Sequence, residues 1–198
     1  MLEHCPIEPQ VIWLTGLSGA GKSTIAQALA KALIDKNLQT YILDGDVLRT
    51  GLNQDLGFSE ADRIENIRRT AHVAKLMVDA NLIVIAALIS PYARDRQSAR
   101  ALFKEGQFVE VFISTPVELC IQRDPKGLYA KALRGEIKGF TGIDAPYEVP
   151  TEPELTLQTQ GRTVEELVNQ VLGYLGKVNV WEGIDGNNDL FMFKLKVA

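Results

Sequence analysis

The sequence predicts a three-layer α/β fold: a mainly parallel central sheet between helices, with a lid across one edge. Three observations predict it. Short apolar runs at 11–15, 39–43, 82–89, 108–113 and 155–157 alternate with segments of helical periodicity. The first run leads through Gly16-Leu17-Ser18-Gly19-Ala20-Gly21-Lys22-Ser23 into a helical segment, so the pattern G-x-x-x-x-G-K-[ST] sits in a strand–loop–helix context. Polar residues follow two later runs, Asp44 and Asp46 after the second and Ser90 after the third. In a parallel sheet those carboxyl ends share one ligand-binding edge.

A chain of 198 residues suits one α/β domain with a substantial core, here 1–176, followed by a tail at 177–198. The net charge of −4 argues against broad nucleic-acid or membrane-surface binding, while leaving room for a local cationic pocket. No apolar run reaches the length of a membrane span, and residues 1–6 lack the basic and apolar regions of a secretory signal. Two cysteines, Cys5 and Cys120, make no disulfide framework and lack metal-ligand spacing, so a reducing, cytoplasmic setting is expected.

Taken in order, residues 1–10 read as an irregular leader with Pro6 and Pro9. The strand at 11–15 is apolar and β-branched, and 24–33 carries one apolar helix face that ends at Asp35-Lys36-Asn37. After the second strand, 47–53 reads as a short helix and 56–58 as a turn. Ser59-Glu60-Ala61-Asp62 has the form of a capping box and opens a helix to about Ala80. The run at 82–89 is apolar on both faces, as a central strand should be. A helix at 93–104, a strand at 108–113 and a short helix at 117–122 behind Pro116 follow. Residues 123–150 mix Arg123, Lys126, Lys131, Arg134 and Lys138 with four glycines. They read as a mobile lid over an anionic substrate, or more blandly as a solvated helix and loop. Thr163-Val164-Glu165-Glu166 is a second capping box, opening a helix to about Leu175. In the tail, Trp181 and the alternating 190–196 run suggest an edge strand or interface segment.

The glycine-rich loop dictates its own chemistry. Its glycines let successive N–H groups converge on anionic oxygens, and the positive end of the next helix faces the same place. Residues Gly16 to Ser23 and Thr24 are therefore candidates to bind the phosphates of ATP, with Lys22 on the β- and γ-phosphates and the Ser23 hydroxyl on Mg²⁺. This is a P-loop, which serves switches, motors and small-molecule kinases alike. No N-K-x-D element points to a guanine switch, and the chain has no room for a motor's partner domains. Arg63, Arg68, Arg69 and the lid could surround a second substrate, so the pattern favours a small P-loop kinase.

Beyond the P-loop, L-D-G-D at 43–46 with Arg49, G-L-N-x-D-L-G-F at 51–58 and S-E-x-D-R-x-E-N-I-R-R at 59–69 form ordered motifs. I-S-P-Y at 89–92, R-D-P-K-G-L-Y at 123–129 and G-E-I-K-G-F-T-G-I-D at 135–144 continue them. Over about residues 10–175 the chain resembles the adenylylsulfate (APS) kinase family. The resemblance implies phosphorylation of the 3′-hydroxyl of adenosine 5′-phosphosulfate by ATP with Mg²⁺, in sulfate assimilation, by a homodimer. It implies Asp46 beside the acceptor hydroxyl, Arg49, Arg63 and Asn66 on the phosphosulfate and ribose, and Phe58 and Phe140 on either side of the APS adenine. Ile89, Ser90, Lys126 and Gly139 complete the implied acceptor site, and Arg123 is expected against the ATP adenine. The serine matching Ser90 has been assigned as a phosphoryl-enzyme intermediate, but in-line transfer on a P-loop needs none, so a substrate contact is the expectation.

Three departures from the family pattern stand out. Val47 replaces the usual Asn after Asp46, which removes an amide and is expected to weaken or rearrange acceptor binding. Ala86, Ala87 and Leu88 replace a more polar, aromatic-containing stretch before Ile89. The tail beyond about residue 176 has no counterpart.

Overall fold

The computed structural model describes residues 7–178. Residues 1–6 and the expected edge strand or interface segment of the tail, with Trp181 and 190–196, lie outside the described residues. The sheet has strands β1 (Val11–Thr15), β2 (Thr40–Asp44), β3 (Ile83–Ala87), β4 (Phe108–Ser114) and β5 (Leu155–Gln158), in the order β2-β3-β1-β4-β5. Every pairing is parallel.

Side-chain alternation along the strands builds the three layers. Ile12, Leu14, Ile85, Val111 and Ile113 pack with α1 (Lys22–Ile34) and α7 (Val164–Val178). Val11, Trp13, Val84, Ala86 and Phe108 pack on the other face with α3 (Glu60–Asp79) and Ala99 of α4 (Ala93–Arg100). A central strand must be apolar on both faces to separate two such layers, and β1 and β3 are buried along their whole lengths. Trp13 stacks on Phe108 with ring centroids 5.5 Å apart.

Both capping boxes form. Ser59 Oγ accepts from the Asp62 N–H and Asp62 accepts from the Ser59 N–H, while Thr163 and Glu166 exchange the equivalent bonds. Other boundaries shift. The helix expected at 47–53 is α2 (Gly45–Leu48), because the Asp44 carboxylate accepts from the Asp46 N–H and starts the helix earlier; turns follow it. The third strand stops at Ala87 and the helix after it at Arg100, both short of the expected ends. The segment at 123–150 starts in α5 (Val117–Arg123) and contains α6 (Leu128–Leu133). Its Tyr129, Ala132 and Phe140 are buried in the core beside α1 and α7, so apolar side chains anchor the polar stretch. Among the described residues no helix is long and apolar enough to cross a membrane.

Candidate active site

With β1 central, the chain leaves its carboxyl end as the P-loop while β2 and β3 deliver Asp44 and Ser90 to the same edge. A cleft of about 730 Å³ opens there. Gly16 (φ 150°), Gly19 (φ 70°) and Gly21 (φ 109°) adopt left-handed conformations that let the loop curl. A side chain on Gly16 would also strike the Ile113 carbonyl, since its Cβ would stand 2.7 Å away.

The loop forms the donor end of the cleft. Ser18, Gly19, Ala20, Gly21, Lys22, Ser23 and Thr24 line the wall; Gly16 and Leu17 do not. Those two act underneath, where their carbonyls accept from Lys22 Nζ at 2.9 and 2.7 Å. Burial pushes the Lys22 ammonium down to about 8, against smaller opposing pulls from Cys120, Asp44 and Asp46. Ser23 Oγ donates to Asp44 Oδ2 at 2.6 Å. Arg123 donates to the carbonyls of Gly19 and Ala20 at 3.4 and 3.3 Å, which ties the start of the lid to the loop.

The acceptor end is built from α2, α3 and the segment after α6. Asp46, Arg49, Phe58, Arg63, Asn66, Ile89, Ser90, Lys126, Gly139 and Phe140 all line the same cleft. Lys126 Nζ pairs with Asp46 Oδ2, bringing the lid lysine onto the carboxylate. Arg49 donates to the carbonyls of Leu56 and Gly57, and its guanidinium lies 4.3 Å from the centroid of Phe58. Arg63 donates to the Phe58 carbonyl, the Gly139 carbonyl and Thr141 Oγ1, so it joins α3 to the lid.

The two phenylalanines differ in exposure: Phe58 is 65% exposed, whereas Phe140, in a polar glycine-flanked stretch, is only 9% exposed and packs edge-on against Tyr129 at 4.9 Å. Phe140 is thus fixed by the core, and Phe58 is the accessible ring. Ser90 is 2% exposed, with φ of 39°. Its Oγ accepts from Trp13 Nε1 at 3.2 Å and donates to Thr15 Oγ1 at 2.8 Å, so its hydroxyl is engaged by the sheet.

The pattern of the sequence overlooked several contributors. Asp44 is placed on the ligand edge by its strand end, but its bond to Ser23 reaches across β3, which lies between β2 and β1, and no local motif announces it. Tyr129 donates from its hydroxyl to the Ser18 carbonyl at 3.0 Å, linking α6 to the P-loop. Thr159, Arg162 and Leu167 extend the donor wall from β5 and α7, and the capping box at Thr163 is the only nearby signal for them.

Comparison with known proteins places this geometry. The family model described as adenylylsulphate kinase matches residues 8–158. The chain belongs to the adenylylsulphate kinase family. An adenylyl-sulfate kinase of Shewanella pealeana is 57% identical over 172 residues, covering 87% of this chain and 84% of that relative. The bifunctional enzyme NodQ of a Rhizobium species is 58% identical over 172 residues, 87% of this chain, but the chain spans only 27% of it. The structure of the Mycobacterium tuberculosis APS kinase CysC in complex with AMPPNP and APS superposes with a TM-score of 0.82 at 48% identity, covering 85% of this chain and 98% of that one.

Within the adenylylsulphate kinase fold, the departures at 47 and 86–88 fall in different places. Val47 is 66% exposed and is not among the residues that line the cleft. Ala87 and Leu88 do line it, while Ala86 packs in the core on the α3 side.

Proposed function

We propose that this chain transfers the γ-phosphoryl group of ATP to the 3′-hydroxyl of adenosine 5′-phosphosulfate, forming 3′-phosphoadenosine 5′-phosphosulfate and ADP in sulfate assimilation. The observation that carries this is one continuous cleft with a P-loop at one end and the Arg49, Phe58, Arg63, Asn66 and Phe140 cluster at the other. Asp46 stands with Lys126 on the wall that both ends share.

The reaction needs positioning and charge stabilisation more than covalent chemistry. P-loop N–H groups and Lys22 receive the transferred phosphoryl charge. Asp46 orients the acceptor hydroxyl and takes its proton as the oxygen attacks phosphorus and the bond to ADP breaks. Lys126, paired with Asp46, lies where it can turn to the phosphosulfate. Arg49 and Arg63 supply planar donors suited to those oxyanions, and Phe58 offers an open face to the purine. Arg123 serves the ATP adenine end. Ser90 contributes as part of the cleft wall: a hydroxyl held between Trp13 and Thr15 is poorly placed to carry a phosphoryl group, and direct transfer requires none.

The residues fit Mg²⁺. Ser23 Oγ and Asp44 Oδ2 meet at the start of α1, a hydroxyl and a carboxylate of the hard-oxygen type that this ion takes. Ser23 would hold it with help from Asp44, phosphate oxygens and water supplying the remaining ligands. Bound there, Mg²⁺ would neutralise charge on the β- and γ-phosphates. We place the enzyme in the cytoplasm as a homodimer, following the cysteine content and the family resemblance.

The test is ADP release measured with and without APS. We expect turnover that depends on APS and on Mg²⁺, and a 3′-phosphorylated product. Turnover that ignores APS, or none from a folded protein, would overturn this function.

A further inference from the structure

The motif at 51–58 includes a buried residue that does not itself line the cleft, Asn53. Asn53 is 0% exposed, in the turn between α2 and α3. Its N–H donates to the Leu48 carbonyl at 2.8 Å and its carbonyl accepts from Leu56 at 3.1 Å, so its backbone is fixed to the end of α2. Its side chain makes one hydrogen bond, from Nδ2 to Asn66 Oδ1 at 2.9 Å. Its own Oδ1 is buried with no partner among the described residues. A buried carboxamide left half-satisfied is costly, and a side chain serving packing alone would be apolar.

The consequence lies at Asn66. A carboxamide can turn about its last torsion and present either oxygen or nitrogen to a ligand. Here Oδ1 is committed to Asn53, so what Asn66 can offer the cleft it lines is Nδ2 with two N–H donors. Phosphate and sulfate oxygens are acceptors only, and an amide oxygen turned toward them would repel. We propose that Asn53 is a positioning residue for the acceptor substrate: it locks the Asn66 amide with its donors toward the phosphosulfate oxygens. This rests on the acceptor-side reading of Asn66.

Asn53→Asp keeps the shape and replaces the donor with an acceptor, so the Asn66 amide turns to donate to it and shows oxygen to the cleft. The expected result is a tenfold or greater rise in KM for APS with KM for ATP within twofold. Asn53→Ala frees the amide without inverting it, and a rise of about threefold is expected; it also carries the test if the buried carboxylate prevents folding. Because the effect passes through Asn66, a double-mutant cycle separates it from a merely structural role. In an Asn66→Ala background, either Asn53 substitution should raise KM for APS no further. Additive effects, or equal losses for ATP and APS, overturn the proposal and leave the reading of Asn66 intact. An unchanged KM for APS in Asn66→Ala alone overturns that reading, and the proposal with it.

Discussion

At the scale of single residues, the loop lysine carries a pH dependence that can be worked out from its surroundings. Burial holds the Lys22 ammonium at about 8, whereas the polyphosphate of bound ATP favours its charged form and must raise that value. Binding therefore takes up protons above about pH 8. Affinity for ATP should fall as pH rises through 8 toward 9, approaching tenfold per pH unit until the raised value of the complex is reached. Titrations at pH 7, 8 and 9 check the slope, and Lys22→Ala should flatten it relative to the native protein. The same substitution should cut turnover by about a hundredfold or more, because it removes a positive charge aimed at the transferred phosphoryl group. Near-native turnover would contradict the donor-end assignment. The lysine and its glycines were legible in sequence because their chemistry is local. The opposite fates of Phe58 and Phe140 were not, because exposure follows from what α6 and the core bring alongside.

At the scale of elements, α3 matters most, since it carries both Arg63 and Asn66 to the acceptor end. Its start was readable because a capping box is a four-residue device: Ser59 and Asp62 satisfy two N–H groups at the helix start. Ser59→Ala should therefore cost about 1 kcal/mol of stability, read by urea denaturation. With the helix entry loosened, KM for APS should rise more than KM for ATP, because Arg63 and Asn66 sit within two turns of that cap. A stability loss with both KM values unmoved would show that packing alone holds the entry. Element ends set by distant partners were harder to read. The start of α2 is decided by the Asp44 side chain, which looks like a strand terminus in sequence but accepts the Asp46 N–H. The third strand ends at Ala87 although apolar residues continue to Ile89: the Leu88 N–H makes a last bond to the Leu14 carbonyl at 3.2 Å, and Leu88 and Ile89 border the cleft. Hydrophobic runs report burial, and burial continues past the last paired residue.

At the scale of the whole molecule, one buried arginine ties together parts that the sequence presents separately. Arg96, on α4 and almost wholly buried, donates from Nε to Glu110 of β4 at 2.7 Å. Its other nitrogens donate at 2.8 Å to the carbonyl of Ser90, at the cleft edge, and to that of Glu148, near the end of the 123–150 segment. Arg100 and Glu154 extend the network, with Arg100 within 3.3 Å of Glu110 and Glu154 accepting from the Glu110 N–H. Tyr147 adds a hydroxyl bond to Thr15 at 2.9 Å, and Glu148 accepts from the Ala93 N–H at 2.6 Å. Arg96 and Arg100 are one helical turn apart on α4, and Tyr147 and Glu148 are neighbours, but the two groups are distant in the chain and meet only in the folded protein. Arg96→Met fills much of the same volume but leaves Glu110 short of a partner and two carbonyls without their donor. Breaking a buried pair from one side costs about 3–5 kcal/mol, whereas replacing both members by apolar side chains is far milder. We therefore expect Arg96→Met to lose about 3–5 kcal/mol in urea denaturation. Adding Glu110→Met should recover part of that loss, although Arg100 then loses a contact of its own. Kinetics at a temperature where Arg96→Met is folded should show kcat reduced along with stability, since the Ser90 loop, with φ of 39°, has lost the donor that holds its carbonyl. If the double variant is no more stable than Arg96→Met, the network contributes through packing rather than through its charges.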